Sequence, residues 1–262
     1  MYLSMVVFEE CLAEYHPRMT GHSDLIKIKF MGVQEAMEGQ EYLPDHMLLE
    51  HVEYFVSHPV PAAWGCLCIG EPPEDLFKNN ICLIFPENTD RTSLYHDIKK
   101  IFFLYNSWEM EIRKAMQRNA TLEEMCNLCI PIFEKPIFIH DRNNELLAIA
   151  NEMAGQFSWQ YDETFDKYYL PLEILNTFKS SDEYHKTLHT YGAHVFSAKA
   201  TGYRTLYVNL RIEWVYVGRV CLDEIGTPIR KRDYELLEFF ADNIALAMQQ
   251  GMLLVSDVSN VL

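Results

Sequence analysis

The chain is short of positive charge and has no long apolar stretch. Its 22 Lys and Arg stand against 38 Asp and Glu, giving a formal net charge of −16. The deficit is uniform: residues 1–118 carry 10 basic and 18 acidic side chains, residues 119–262 carry 12 and 20, so each half is at −8. A surface of that sign repels phosphate backbones and argues against direct nucleic-acid contact by these residues. No apolar run approaches the roughly 18–20 residues of a membrane span. The start, Met1-Tyr2-Leu3-Ser4-Met5, has no basic flank and runs into Glu9 and Glu10, so it does not read as a secretory leader. No membrane association and a cytoplasmic location are the expectations.

Chemical motifs are missing as well. There is no GxSxG, no Walker A loop and no GxGxxG, which leaves hydrolase-elbow, P-loop and Rossmann readings without support. The seven cysteines are odd in number and sit mostly in apolar runs such as "GCLCIG" and "ICLIF", as reduced core thiols do. Cys126 and Cys129 have redox spacing but fall inside or near the end of a helix, where a thioredoxin-type pair would open one. His185 and His189 stand four apart with His194 behind them, yet no HExxH glutamate lies between, and a solvated helix face is the plainer reading. No metal, no cofactor and no catalytic residue are expected, and the chain is not read as an enzyme.

What is present is the composition of a globular protein, 49% hydrophobic and 23% charged. The length suits two domains, and the pattern is α+β: two mixed domains joined by a long helix. Residues 1–90 open with a helix in "LSMVVFEECLAEYH" and continue as short strands, among them "DLIKIKFMGV" with Ile26, Ile28 and Phe30 on one face. Over 91–118 the apolar residues Leu94, Ile98, Ile101, Tyr105, Trp108, Ile112 and Ala115 follow at spacings of 4, 3, 4, 3, 4 and 3. That a/d stripe suits either a helix packed on its own domains or a connector pairing with its twin in a homodimer, with Leu94, Ile98, Ile101, Tyr105, Trp108 and Ile112 as the dimerisation seam. Phe102, Phe103 and Leu104 widen the apolar surface beyond a strict seam.

A second domain is expected over 119–255. Thr121 with Glu124 forms a capping box. "PIFEKPIFIHDRNNELLAIAN" then reads as strand, turn, strand, with Ile137 and Ile139 alternating against Phe138. Helices are expected near "LPLEILNTF" and "SDEYHKTLHTY", and strands in "AHVFSA" and over 203–223, where Leu206, Val208 and Leu210 alternate and a turn falls near Glu213. A last amphipathic helix after Pro228 carries Leu237, Ala241, Ile244 and Met248 on one stripe. Residues 256–262 read as an exit linker.

The end of this domain resembles a GAF-type sensory domain in Gly218 within "YVGRVCL", Pro228-Ile229, Asp233, Leu236-Leu237 and the closing "FFADNIALAM". In place of the family's Ser or Thr helix cap stands Arg230, which cannot accept an amide bond; such a loss costs about 1 kcal/mol unless Thr227 or Asp233 compensates. The order of units is similar to the upstream part of bacterial transcription regulators of the PucR and CdaR type, where a purine-catabolism-regulator-like domain and a GAF-like sensor precede a helix-turn-helix domain. After Gln250 the sequence holds only "GMLLVSDVSNVL". DNA contact is thus expected only through a domain not in this chain, and the chain reads as a sensory fragment or as a protein acting through a partner.

The resemblance implies a small-molecule effector bound in the second domain. A mostly apolar cavity with a few polar groups is what such sites need, and Phe138, His140, Trp159, Tyr161, Tyr203, Tyr207, Trp214 and Tyr216 are the candidate ligand-binding side chains. "QFSWQYDETFDKYY" is too long for a plain connection and suggests a lid. Two alternatives stand beside this reading. One is a thiol-based GAF-fold reductase using Cys126, Cys129 and Cys221; the other is a dimerisation module that binds nothing small, which a cavity plugged by its own aromatics would favour.

Overall fold

The computed structural model describes residues 1–21, 23–35 and 41–251; the expected exit linker at 256–262 lies outside them. Two compact units divide the chain, Met1–Glu109 and Met110–Leu262. Among the described residues no helix is long and apolar enough to cross a membrane.

In the first unit β1 (Leu3–Ser4), α1 (Met5–Cys11), β2 (Arg18–Gly21), β3 (Lys29–Phe30) and β4 (Gly32–Glu35) precede a strict strand-helix alternation. It runs β5 (His46–His51), α2 (Val52–Ser57), β6 (Gly65–Ile69), α3 (Glu74–Asn79), β7 (Ile81–Phe85) and α4 (Arg91–Gln117), whose residues 110–117 fall in the second unit. The sheet order is β2-β7-β6-β5-β4, with β2 antiparallel at one edge and the other four strands parallel. Parallel neighbours need crossovers, which α2 and α3 supply, and such strands are covered on both faces. This is why "GCLCI" and "ICLIF" are unbroken apolar runs: every residue of β6 and β7 is buried.

One expectation for this unit is corrected and one alternative is favoured. The alternation in "DLIKIKFMGV" does not make one strand, because the Ile28 N–H is engaged by the Leu25 carbonyl at 3.0 Å; Ser23–Lys27 is a 3₁₀ turn and only the short β3 and β4 follow. Of the two readings of the α4 stripe, packing on the chain's own domains is the one the burial favours: Leu94, Ile98, Ile101, Tyr105, Trp108 and Ile112, the expected dimerisation seam, are buried within the chain itself. Its helix covers the unit's own core: Phe102 packs on Phe8 with centroids 4.9 Å apart, and the Tyr105 hydroxyl lies 3.7 Å from Cys11 Sγ. The apolar side chains that α4 exposes are instead Phe103, Leu104 and Met110.

The second unit begins with α5 (Leu122–Asn127), capped as the sequence predicts by Thr121 and Glu124 in reciprocal bonds, and α6 (Ile130–Phe133). There follow β8 (Ile137–Asp141), β9 (Leu146–Ala150), β10 (Gln160–Asp162), β11 (Lys167–Tyr169), α7 (Leu172–Lys179) and α8 (Asp182–Thr187). The unit closes with β12 (Ala193–Phe196), β13 (Thr205–Ile212), β14 (Val215–Asp223) and α9 (Lys231–Gln249). Five strands form one antiparallel sheet in the order β12-β13-β14-β8-β9, flanked by helices, and α9 packs against β12, β13 and β14.

Cross-strand register sorts this sheet into two faces. On one, Leu206 opposes Leu222 and Val208 opposes Val220, which in turn oppose Ile137 and Ile139; all are buried, and Val208 lines the same pocket as Ala241 of α9, the helix packed on β13. On the other, Phe196 opposes Thr205, Tyr207 opposes Cys221, Cys221 opposes Phe138, and Arg219 opposes His140. Gly218 is needed at the junction, because a Cβ there would overlap the His140 carbonyl oxygen.

The Arg230 puzzle resolves at the start of α9. Arg230 is the cap residue, but the bond runs backwards: its own N–H donates to Asp233 Oδ2 at 2.8 Å, and the Asp233 N–H donates to the Arg230 carbonyl at 3.1 Å. Asp233 is fixed in turn by Lys135, whose Nζ lies 3.0 Å from Oδ2 and 3.1 Å from the Phe133 carbonyl. Both side chains of this ion pair are fully buried.

Candidate ligand site

The second face of the sheet, opposite the one bordering α9, lines a cavity of about 40 Å³. Its floor comes from β8, β13 and β14 through Phe138, His140, Thr205, Tyr207, Arg219 and Cys221; Phe157, Leu170, Phe178, Tyr184, Phe196 and Thr201 complete the wall. The segment 151–170 forms a cover whose β10–β11 hairpin pairs with itself and joins the turn before β9 through a bridge between Tyr169 and Glu145 and a 3.2 Å bond from the Leu170 N–H to the Asn144 carbonyl. Phe157 and Trp159 lie 5.2 Å apart in this cover and meet Phe138 edge-on at 6.3 and 5.4 Å. Gln156 ties the cover down by donating to Asp223 Oδ2 at 2.9 Å, the Phe157 N–H reaches the Tyr203 hydroxyl at 3.4 Å, and Lys167 pairs with Glu145 at 3.0 Å.

Burial sets the protonation states. It drives the His140 pKa down to about 3, assisted by the charge of Arg219 and opposed by the bond to the Asp141 carbonyl, so the imidazole is neutral at physiological pH. Its Nδ1 lies 2.8 Å from that carbonyl, an acceptor only, and must carry the proton; Nε2 is left with the lone pair. Burial also raises Cys221, Tyr184 and Tyr207, and pushes Tyr216 up to about 12. Burial opposes the charge on Arg219, but Tyr216, Cys221 and Tyr184 outweigh it and hold its pKa above the ordinary value. At the rim, burial lifts Asp223 to about 6 despite hydrogen bonds from Gln156, Thr205 and Tyr203.

The eight candidate residues separate. Phe138, His140 and Tyr207 line the cavity, Trp159 packs on Phe138, and Tyr203 braces the cover. Tyr216 reaches the Arg219 guanidinium, 5.8 Å from its ring, by way of a β-bulge: Leu210 opposes Gly218 while Arg211 opposes Tyr216, so Val217 is the extra residue and Tyr216 changes face. Tyr161 is 49% exposed on the hairpin, where its ring lies tilted against Tyr168 and its hydroxyl bonds Asp166. Trp214 is 83% exposed. Glu213 and Trp214 both have positive φ, 49° and 70°, in the two-residue turn between β13 and β14, which points the indole to solvent. These two are removed from the cluster.

Arg219 is the residue that sequence reasoning passed over, together with Phe178, Tyr184, Phe196 and Thr205. A signal existed for Arg219: a charge between Gly218 and Val220 in an otherwise apolar strand is out of place unless its surroundings need it. No such signal marks Tyr184, which arrives from α8 and stacks on Phe178 at 4.4 Å. Among the described residues no group of three or more His, Cys, Asp or Glu is placed to hold a metal. His185 Nε2 lies against the Lys179 carbonyl at 3.1 Å and His194 Nε2 against the Tyr191 carbonyl at 3.0 Å, each satisfied by its own neighbourhood. Cys126, Cys129 and Cys221 are buried and form no disulfide; the thiols of Cys126 and Cys221 are raised by burial and stay protonated at neutral pH.

Solved structures provide likenesses to this chain. The cofactor-binding GAF domain of the nutrient sensor CodY from Clostridium difficile has a TM-score of 0.39 at 12% identity, over 55% of this chain and 97% of that one. The phycoerythrobilin-bound GAF domain from a cyanobacterial phytochrome gives 0.41 at 9% identity, over 55% and 94%. The free methionine-R-sulfoxide reductase of Neisseria meningitidis gives 0.38 at 12%, over 62% and 94%. No family model matches the chain, and no curated protein does.

Proposed function

We propose that the second unit is a GAF-like sensory domain that binds a small molecule between its sheet and the 151–170 cover. The observation that carries this reading is the chemistry of the second sheet face. A structural core would continue the aliphatic pattern of the first face, whereas here a guanidinium, an imidazole, hydroxyls and a thiol converge under aromatic rings. The cover is fastened beside the sheet by side-chain bonds and by the bridge between Tyr169 and Glu145, contacts that can break while the five-stranded ladder stays intact. In the wider reading, the chain is the ligand-sensing part of a PucR/CdaR-type transcription regulator that dimerises and passes the signal through α9 to a DNA-binding domain outside this chain. The sequence resemblance supports that reading, as does the acidic surface, which fits a part that leaves DNA to another domain. Thermal-shift screening of aromatic and purine-like metabolites tests the binding; a ligand class that raises Tm supports it and uniform silence counts against it. A helix-turn-helix domain encoded after residue 262 would support the regulator reading.

The rival reading, an interaction module that holds no ligand, is favoured by one observation. The cavity of about 40 Å³ has room for little more than one water, so a ligand must displace part of the cover. The same screen separates the two.

A further inference from the structure

The second unit encloses an arginine without a counter-ion. Arg219 is 4% exposed, and among the described residues no carboxylate lies within ion-pair distance of it. Its recorded polar neighbours are hydroxyls: Nη2 donates to Thr187 Oγ1 at 3.1 Å, and the Tyr216 oxygen supports its charge. Nε has no partner. The guanidinium carbon stands 4.7 Å from the ring of Tyr207, 5.5 Å from that of Tyr184 and 5.8 Å from that of Tyr216. Other interior charges here are handled differently: Lys135 meets Asp233, and Asp223 receives bonds from Gln156 and Thr205. A buried cation left to ring faces and hydroxyls, with a donor still open, has the form of half an ion pair.

Resting on the sensor reading of this cavity, we infer that its ligand is a small organic monocarboxylate with an apolar body, held by Arg219. A guanidinium offers a planar fork that matches a carboxylate. Among the described residues Arg219 is the only formally charged one lining the cavity, and a single cation suits a monoanion better than a phosphate ester. Phe138, Phe157, Phe178 and Phe196 supply apolar walls for the body. The present volume accommodates little beyond the carboxylate head, so the body enters as Phe157 and Trp159 move out with the cover, which makes Trp159 a reporter of occupancy.

The test uses the full chain with hexanoate and benzoate, their uncharged amides, and inorganic phosphate, read by thermal shift and by tryptophan fluorescence with Trp159→Phe as the control for signal origin. Expected are a Tm increase and a saturable fluorescence change with the carboxylates, binding weaker by about tenfold or more for the amides, and loss of binding in Arg219→Met. Arg219→Lys keeps the charge but not the fork and is expected to weaken binding by about tenfold. Should Arg219→Met not fold, the carboxylate-to-amide ratio in the unaltered protein decides. Amides binding as tightly as carboxylates, phosphate binding in preference to both, or carboxylate binding that survives Arg219→Met would each overturn the inference while leaving a sensor standing. Silence of all five probes also overturns it, and the metabolite screen then decides separately whether any ligand is bound.

Discussion

The two faces of the second unit's sheet are built from the same strands and differ by a single step along the chain. Ile137, Ile139, Leu206, Val208, Val220 and Leu222 are aliphatic and buried, on the side bordering α9. Their neighbours Phe138, His140, Thr205, Tyr207, Arg219, Cys221 and Asp223 carry rings, hydroxyls, a thiol and charge. Because side chains alternate with period two, one face can be optimised for packing while the other is free to carry chemistry. Two of the first unit's parallel strands have no such freedom: β6 and β7 are apolar and buried at every position.

This contrast can be broken from the packing side first. Lys135→Met leaves Asp233 buried without its cation and is expected to destabilise the unit by about 3–5 kcal/mol in urea unfolding. The double change Lys135→Met with Asp233→Leu should recover much of that, and a double variant as unstable as the single would contradict the account. Leu222→Ala, on the aliphatic face, should cost about 2–5 kcal/mol. Tyr207→Phe, one face over, removes a hydroxyl shared with Thr190 at 3.2 Å and should cost about 1 kcal/mol. Equal losses from these two would erase the distinction between the faces.

The polar face should also show in the pH dependence. Asp223 has a folded pKa of about 6 against an ordinary 3.8, so the folded state holds a proton that the unfolded chain has released. Its contribution is therefore full below pH ~4 and is lost as pH rises towards ~6, by at most about 3 kcal/mol. Asp223→Asn should flatten the stability profile in that window, and an unchanged profile would place the titration elsewhere. Smallest of all, Trp214→Ser at the solvent-exposed turn should change stability by no more than about 0.5 kcal/mol and leave carboxylate binding untouched.

The aliphatic face was legible because alternation is a local signal: Leu206, Val208 and Leu210 announce it within five residues. The polar face was half legible. Phe138, His140 and Tyr207 follow from the same alternation, but Tyr216 joins them only through the bulge at Val217, and no pattern of residue types announces a skipped pairing. Tyr184 and Phe178 come from helices whose approach to the sheet is a matter of tertiary packing. The α4 stripe shows the converse limit. Its spacing identifies a buried seam correctly and cannot say whose atoms bury it, since the protein's own core and a second copy make the same demand on the helix. Arg230 shows compensation at work: the missing cap residue is replaced by an acceptor three positions later, with the bond reversed.

The Lys135–Asp233 pair joins residues 98 positions apart, one just before the first strand of the sheet and the other in the first turn of the last helix. During synthesis the ammonium therefore waits, solvated, until nearly the whole unit has emerged, and closing so long a loop comes late in any sequence of folding events. The same bond ties the last helix to the segment before the sheet, so lifting α9 breaks a buried ion pair as well as the helix's apolar packing.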